Sequence, residues 1–294
     1  MSENDFVSTH TKVLCVIGYP IEHSMSPIMH NAAIRELNLS YIYLAFNIYP
    51  SNLSLAVNGI KAFDIKGINV TIPFKQEIMI YLDEIDPVAQ KIGAVNVIKN
   101  DDAYLSGKNT DADGAMKAIL DAGYTVSGKN ILLLGAGGTA RALAFIFSEN
   151  ANRMVIANRT EKSARKLANE IKKFFGINIE GKKNSDRVLK EESKKADILI
   201  NTTPLGMYPN VEKSPIPAEF LHKDLLVFDV VYNPLKTKLI KDATEKGCNT
   251  LGGLDMLINQ GALAFEWWTN RKPNIELMKN KITEVFGKKN KKNK

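Results

Sequence analysis

A glycine-rich segment between an apolar strand and a helix constrains the fold of this chain more than any other feature. The strand is expected over Asn130 to Leu134, and Gly135-Ala136-Gly137-Gly138-Thr139-Ala140 follows it. In this G-x-G-x-x-A spacing, the first Gly makes the tight turn, the second lets backbone approach a pyrophosphate, and the small last residue allows close helix packing. The helix N-terminus attracts phosphates. The segment therefore predicts a dinucleotide cofactor, with a plain tight turn as the alternative.

The second half of the chain alternates short apolar strands with amphipathic helices. Continuous apolar strands bounded by helices are typical of a parallel sheet covered on both faces, so we predict a doubly wound Rossmann-like domain over residues 113–253. The strands are expected at Asn130 to Leu134, Arg153 to Ala157, Asp197 to Asn201 and Leu225 to Val230, and the helices at Thr139 to Glu149, Thr160 to Phe175 and Lys236 to Lys246. Lys182, Lys183 and Asn184 are expected in a surface loop.

The residues after the second of these strands bear on the choice of cofactor. An NAD-preferring fold usually has an Asp or Glu here to bind the ribose 2′-hydroxyl. This chain has Asn158-Arg159-Thr160 instead. An acid would repel a 2′-phosphate, whereas Arg159 can form a charge-assisted pair with one. We therefore expect NADP, the alternative being that Arg159 is a solvated residue at the start of a helix.

The first third of the chain, residues 1–112, predicts a separate α/β domain, in keeping with a length of 294 residues and ~150 residues per domain. A helix is expected to begin at Ser26-Pro27, because Ser is a favoured N-cap and Pro is tolerated at the first helical position. The expected strands are Val13 to Ile17, Tyr41 to Ile48 and Gly67 to Ile72, with a second helix over Lys75 to Leu82. Residues 254–294 predict two C-terminal helices, Leu254 to Trp268 and Ile275 to Val285, that pack back on this domain.

Two charged residues in this domain suggest acid–base chemistry. Lys75 follows a strand at the expected start of a helix, where a cation is unfavourable against the helix dipole. A buried Lys near a carboxylate can exchange a proton with a substrate oxygen, and Asp111 supplies such a carboxylate. A surface lysine and a helix N-cap are the structural alternatives. Ser24 and Ser26 lie at the expected start of a helix, where their paired hydroxyls can bind a carboxylate. The structural alternative, compatible with the first, is that Ser26 caps the helix.

Composition and charge exclude several other classes of protein. Of the net charge of +7, five positive charges lie in the last seven residues, so we expect a solvated tail and no nucleic-acid binding. Cys15, Cys248 and the four histidines lack metal-ligand spacing, so no metal site is expected. No apolar run approaches ~20 residues and the segment from Met1 to Lys12 is polar, so we expect a cytoplasmic protein. Monomer and homodimer both stay open.

Taken together, these motifs resemble the NADP-dependent shikimate dehydrogenase family, which reduces 3-dehydroshikimate in aromatic amino-acid biosynthesis. The likeness extends in order along nearly the whole chain. It is carried by Gly18 to Pro27, Asn69 to Lys75, Gly93 to Asn96, Asn109 to Asp111, Gly135 to Ala140, Asn158 to Thr160, Asn201 to Met207, Asp229 to Pro234 and Gly253 to Gln260.

The resemblance implies a role for particular residues. Lys75 and Asp111 form the catalytic pair, with Lys75 as the acid/base. The residues implied to bind substrate are Ser24, Ser26, Thr71, Lys75, Asn96, Asp111, Tyr232 and Gln260. Those implied to bind NADP are Gly135, Ala136, Gly137, Gly138, Thr139, Ala140, Asn158, Arg159, Thr160, Lys162, Thr202, Met207, Val230 and Gly253. Structural alternatives are a strand residue for Thr71, a turn for Asn96, packing for Tyr232 and a helix-surface position for Gln260.

Three departures from the family pattern bear on these expectations. Ser163 stands where many NADP-dependent members have Arg, so Lys162 or Arg165 is expected to substitute. Val97 replaces the usual Thr, and Asp255 replaces a small residue.

The alternative functions are a quinate/shikimate dehydrogenase that uses NAD or NADP, and a catalytically silent NADP-binding regulator.

Overall fold

The computed structural model describes residues 7–292, and the side chains of residues 7–288. Predictions about the first six residues and about the side chains of the Lys-rich end beyond Lys288 lie outside this description. The chain divides into two compact units. The first contains residues up to Thr110 together with those from Ile258 onward, and the second is Asp111–Leu257.

The first unit is built on a mixed sheet of six strands within the described residues. Its order is β2-β1-β3-β5-β6-β4, with β1 parallel to β2 and β3, and β5 antiparallel to β3 and β6. The strands are β1 (Lys12–Gly18), β2 (Tyr41–Asn47), β3 (Gly67–Val70), β4 (Glu84–Ile85), β5 (Val97–Asp101) and β6 (Tyr104–Lys108). The helices are α1 (Ser26–Glu36), α2 (Leu53–Ala62) and α3 (Pro87–Ile92), with 3₁₀ turns at Pro50–Asn52 and Glu77–Tyr81.

The second unit contains a parallel sheet of six strands in the order β12-β11-β10-β7-β8-β9. This is the classical Rossmann order, with its switch point between β7 and β10. The strands are β7 (Asn130–Leu134), β8 (Arg153–Asn158), β9 (Asn178–Lys183), β10 (Ile198–Asn201), β11 (Leu226–Asp229) and β12 (Asn249–Gly252). The helices are α4 (Asp111–Asp121), α5 (Gly138–Ser148), α6 (Glu161–Lys172), α7 (Asp186–Ser193) and α8 (Lys238–Glu245), with a 3₁₀ turn at Ala218–Phe220. The predicted doubly wound sheet is confirmed.

The C-terminal helices α9 (Leu254–Thr269) and α10 (Ile275–Lys292) complete the fold. Helix α10 packs against α1, as predicted. Within the first unit, the Trp268 Nε1–H donates to the Ile98 carbonyl of β5 at 2.8 Å, and the Trp268 ring contacts the Tyr43 ring of β2 with 6.2 Å between ring centroids. Burial of these rings attaches α9 to the first sheet. In the described residues, no helix is long and apolar enough to span a membrane.

Two expectations about local structure are wrong. Lys182 and Lys183 are not in a loop, because both belong to the edge strand β9, whose polar sequence lacks the apolar run of a central strand. Lys75 does not begin an α-helix either. It lies in a turn, and the segment that follows is the 3₁₀ helix Glu77–Tyr81, so the argument from an α-helix dipole does not apply.

An ion network around the buried carboxylate of Glu192 connects β8, β9 and α7. The Glu192 carboxylate, whose side chain is only 2 % exposed, accepts from Arg153 Nη1 at 2.7 Å and from Lys182 Nζ at 2.8 Å. Burial alone raises the pKa of Glu192, but the hydrogen bonds from the two cations outweigh it and lower the pKa to about 2. Glu192 therefore stabilises the fold in its ionised form.

We predict that Glu192→Gln lowers the free energy of unfolding by about 1.5–3 kcal/mol at pH 7, since two hydrogen bonds between charged groups are weakened. The stabilisation is fully present above the unfolded-state pKa of about 4.5 and is lost as the pH falls through about 2. Urea unfolding at several pH values should show the two curves converging over that window. Glu284→Gln, at an exposed ion pair with Lys281, is the control and should change little. A difference that does not depend on pH would contradict the assignment.

Candidate functional site

In the first unit, Asn96 is the centre of a buried set of polar side chains. Its Nδ2–H₂ donates to Thr110 Oγ1 at 3.1 Å and to Gln260 Oε1 at 3.4 Å, and its Oδ1 accepts from the Thr110 N–H at 2.7 Å. Gln260 is 8 % exposed, so the alternative of a helix-surface position is wrong. These bonds bring together two residues predicted from distant parts of the sequence, Asn96 and Gln260.

Backbone pairing holds the Lys75 segment beside this set. The Val70 N–H donates to the Asn96 carbonyl at 2.8 Å, and the Val95 N–H donates to the Lys75 carbonyl at 2.7 Å. Thr71 is half-buried just after β3, and Lys75 is 9 % exposed, so the alternative of a surface lysine is wrong. The turn after β3 thus carries Thr71 and Lys75 at the carboxyl end of a central strand.

Asn69 and Tyr43 extend the same set, and sequence reasoning assigned neither of them a role. The Tyr43 hydroxyl donates to Asn69 Oδ1 at 2.6 Å, and Asn69 Nδ2 donates to the Asn96 carbonyl at 3.4 Å. Asn69 is a polar residue inside an otherwise apolar strand. Since a buried amide needs partners, that position was the available signal.

Ser24 and Ser26 lie together at the start of α1, but the capping differs from the expectation. Ser26 is the first helical residue and Met25 precedes it as N-cap, with no side-chain capping bond. The Ser26 N–H donates to Ser24 Oγ at 3.3 Å. The helix begins at Ser26, within the predicted Ser26-Pro27 start, but Ser26 is its first residue and does not act as the cap, and Ser24 satisfies a terminal N–H.

Asp111 is the first residue of α4 and is 4 % exposed. It therefore lies within the first turn of the helix and does not precede it as an N-cap. An acidic side chain is favourable in this turn because it complements the helix dipole. Lys75 belongs to the first unit and Asp111 to the second.

The glycine loop of the second unit combines a tight turn with open space. Gly135 has φ +114, and a Cβ there would lie 2.4 Å from Thr202 Oγ1. Gly137 is the N-cap of α5, and a Cβ there would meet no heavy atom within 4 Å. The loop therefore has the geometry that a phosphate group needs in order to approach the N-terminus of α5.

The residues after β8 present two cations to solvent. Arg159 and Lys162 are exposed, and Thr160 precedes α6 as its N-cap residue. Arg165, the other candidate to replace the missing arginine, already pairs with Glu161 through Nη2 at 2.6 Å. Arg159 and Lys162 are thus the better candidates for an anion such as a 2′-phosphate.

Four more predicted residues lie in the segments that follow the carboxyl ends of β10, β11 and β12. Thr202 follows β10, and its Oγ1–H donates to the Leu134 carbonyl of β7 at 2.6 Å. The Val230 N–H donates to the Asn201 carbonyl at 3.0 Å, and a Cβ on Gly253 would lie 2.1 Å from the Val230 oxygen. Met207 lies at the end of the turn that follows β10, and its N–H donates to the Pro204 carbonyl at 3.2 Å.

Asp229 is a residue of this edge that sequence reasoning left without a role. It ends β11 and has no exposed surface. Burial raises the pKa of Asp229 to about 6, although hydrogen bonds from Thr237, Val231 and Asn201 act in the opposite direction.

In the described part of the chain, no group of three or more His, Cys, Asp or Glu side chains could hold a metal ion.

Comparison with known proteins decides the family. Three family models match successive parts of the chain: the shikimate dehydrogenase substrate binding domain at residues 16–98, shikimate / quinate 5-dehydrogenase at 116–230, and the shikimate 5′-dehydrogenase C-terminal domain at 253–283. A shikimate dehydrogenase (NADP(+)) of Methanocaldococcus jannaschii is 49 % identical over 96 % of this chain and 100 % of its own length. The chain belongs to the shikimate dehydrogenase family.

Solved structures of shikimate dehydrogenases agree with this assignment. One, in complex with NADP⁺, is 46 % identical with a TM-score of 0.88, over 95 % of this chain and 97 % of that one. The enzyme of Listeria monocytogenes, in complex with shikimate and NAD, is 37 % identical with a TM-score of 0.84, over 95 % and 98 % of the two chains. Family members have thus been seen with either nicotinamide dinucleotide.

The glycine loop yields a prediction about stability. Gly135→Ala should lower the free energy of unfolding by about 1–3 kcal/mol or more, since an L side chain at this φ is strained and its Cβ clashes with Thr202. Gly137→Ala is the matched control, and because the space beside it is open, it should change stability by less than about 1 kcal/mol. Urea unfolding of both variants measures the difference. Equal losses would contradict this account of the loop.

Proposed function

We propose that this protein catalyses the reversible NADPH-dependent reduction of 3-dehydroshikimate to shikimate. The observation that carries the proposal is the buried polar set around Asn96. It joins Gln260 by a side-chain hydrogen bond, and backbone pairing holds the turn of Lys75 beside it. Buried amides with several partners are held in fixed orientations, and a polyhydroxylated ring needs such fixed donors and acceptors. The 49 % identity to a shikimate dehydrogenase over 96 % of this chain supports the same substrate.

The chain's own residues supply the proton that the reaction needs. When bound, NADPH supplies the hydride, and the ketone oxygen that receives the electrons must take a proton. We propose that the Lys75 ammonium donates that proton and that Asp111 orients Lys75 and contacts ring hydroxyls. Ser24 and Ser26 bind the substrate carboxylate at the start of α1, and Thr71, Asn96, Tyr232 and Gln260 bind carboxylate or hydroxyl groups.

The second unit fits the cofactor on its own geometry. Open space beside Gly137 at the N-terminus of α5 fits the pyrophosphate. Arg159 and Lys162, both exposed, fit the 2′-phosphate, with Asn158 and Thr160 alongside. The phosphates are assigned to Ala136, Gly138, Thr139 and Ala140 as well, and the nicotinamide half to Thr202, Met207, Val230 and Gly253. We further propose that the protein acts in the cytoplasm as a monomer or homodimer and binds no nucleic acid.

Lys75→Ala tests the acid–base role. We expect kcat to fall by about 10²–10⁴ with a much smaller change in KM, because proton transfer acts on the transition state more than on binding. Steady-state kinetics with shikimate and NADP⁺ measure both constants. Lys91→Ala, at an exposed lysine on α3, is the control and should behave as the wild type. A raised KM with unchanged kcat would refute the role.

Nicotinamide absorbance, with shikimate or quinate and with NADP⁺ or NAD⁺ in all four combinations, tests the function as a whole. Turnover of the wild type should be confined to shikimate with NADP⁺. The variant Arg159→Gln should lower the preference for NADP⁺ over NAD⁺ in kcat/KM by about tenfold or more, since a charge-assisted pair is lost. Arg165→Gln, which removes the partner of Glu161, should leave the preference unchanged. Strong quinate or NAD⁺ turnover would favour the broader quinate/shikimate dehydrogenase, and cofactor binding without turnover the silent regulator.

A further inference from the structure

The Asp229 carboxylate accepts hydrogen bonds from three different segments. Asn201 Nδ2 donates to Oδ1 at 2.9 Å, the Val231 N–H donates to Oδ1 at 3.1 Å, and Thr237 Oγ1 donates to Oδ2 at 2.6 Å. Asp229, Asn201 and Thr237 all have no exposed surface. We call these three side chains the Asp229 network.

Hydrogen bonds of the Asn201 side chain connect Asp229 to the turn after β10. While its amide donates to Asp229, its Oδ1 accepts from the Thr203 N–H at 2.9 Å and from Thr203 Oγ1 at 2.7 Å. The amide also donates to the Leu205 carbonyl at 3.3 Å. Both polar atoms of the Asn201 side chain are therefore hydrogen-bonded. These bonds hold the first residues of the turn from Thr202 to Met207 in place.

The other two branches fix the chain after β11. The bond to the Val231 N–H holds the backbone between Val230 and Tyr232. Thr237 caps α8, since its Oγ1 accepts from the Ile240 N–H at 3.2 Å. Gly253 packs directly on the Val230 carbonyl, so the position of Val230 also determines that of Gly253.

We infer that Asp229 is a positioning residue that holds the three segments carrying Thr202 and Met207, Val230 and Tyr232, and Gly253 in register with one another. The inference rests on the proposed function, which assigns these residues to the nicotinamide half of the cofactor and to the substrate. Asp229 is itself inaccessible and touches neither ligand. It acts through the segments that it ties together.

A carboxylate suits this position better than any other side chain of its size. It has two acceptor oxygens and carries no donor, so it can accept from an amide, a backbone N–H and a hydroxyl at once. Asn would turn an N–H₂ group toward the Thr237 hydroxyl. Complete burial of a carboxylate is unfavourable, and groups kept in spite of such a cost are concentrated at functional sites.

The test compares binding of NADPH with binding of adenosine 2′,5′-bisphosphate, which lacks the nicotinamide half. In Asp229→Ala, calorimetry should give an NADPH Kd raised about tenfold or more, and a bisphosphate Kd within about threefold of wild type, since only the nicotinamide half is misplaced. We expect kcat to fall by about 10- to 100-fold, because misaligned reacting atoms slow turnover strongly. Asp229→Asn, which keeps the shape and one acceptor oxygen, should be intermediate and carries the test if the alanine variant does not fold.

Asp242→Ala is the matched control. It also removes a buried aspartate, one that pairs with Lys238 on α8 outside the Asp229 network, and its two Kd values and kcat should stay near those of the wild type. Parallel losses of NADPH and bisphosphate binding in the Asp229 variants would overturn the inference, because they would mean general destabilisation. The same selective loss in Asp242→Ala would overturn it too.

The wild-type measurements separate this inference from the proposed function. If the wild type binds NADPH but does not oxidise shikimate, the proposed function fails while the comparison of the two Kd values still tests Asp229. If the wild type binds NADPH no more tightly than the bisphosphate, the nicotinamide half gains nothing from these segments and the inference is overturned.

Discussion

Parallel pairing of fully buried strands is the constraint on which the rest of the second unit depends. Strands covered on both faces leave room for polar side chains only where they end, and parallel strands all end at the same edge. β10 ends in Asn201 and β11 in Asp229, and the hydroxyl of Thr202 reaches back to the end of β7. The buried polar groups of these central strands are therefore concentrated at the edge where an α/β sheet binds its ligand.

The first unit achieves the same concentration with a mixed sheet and buried amides. β5 runs antiparallel to β3, so Asn96, just before β5, lies beside the carboxyl end of β3. The side-chain amide of Asn96 donates hydrogen bonds to Thr110, which follows β6, and to Gln260, which lies on α9. A buried amide without these partners would be costly, so the arrangement both stabilises the unit and orients groups for a ligand.

The central elements were predictable because their sequences carry strong local signals. β7 was predicted with its observed bounds, since an apolar run followed by the glycine loop has few alternatives. The edge strand β9 and the hairpin β5–β6 were missed, because strands with polar positions resemble loops. Asn69 and Asp229 belong to segments that carry the family resemblance, but their partners, Tyr43 and Thr237, are set by packing and carry no sequence signal.

The sequence by itself determined the two-part α/β organisation, the doubly wound order of the second unit and the family, because these follow from local periodicity and from motifs a few residues long. Only the tertiary structure decided that Gln260 bonds to Asn96 across 164 positions, and that Asp229 joins the ends of two strands and a helix cap. Such contacts depend on how distant segments meet. No local pattern specifies a hydrogen bond between side chains so far apart in the chain.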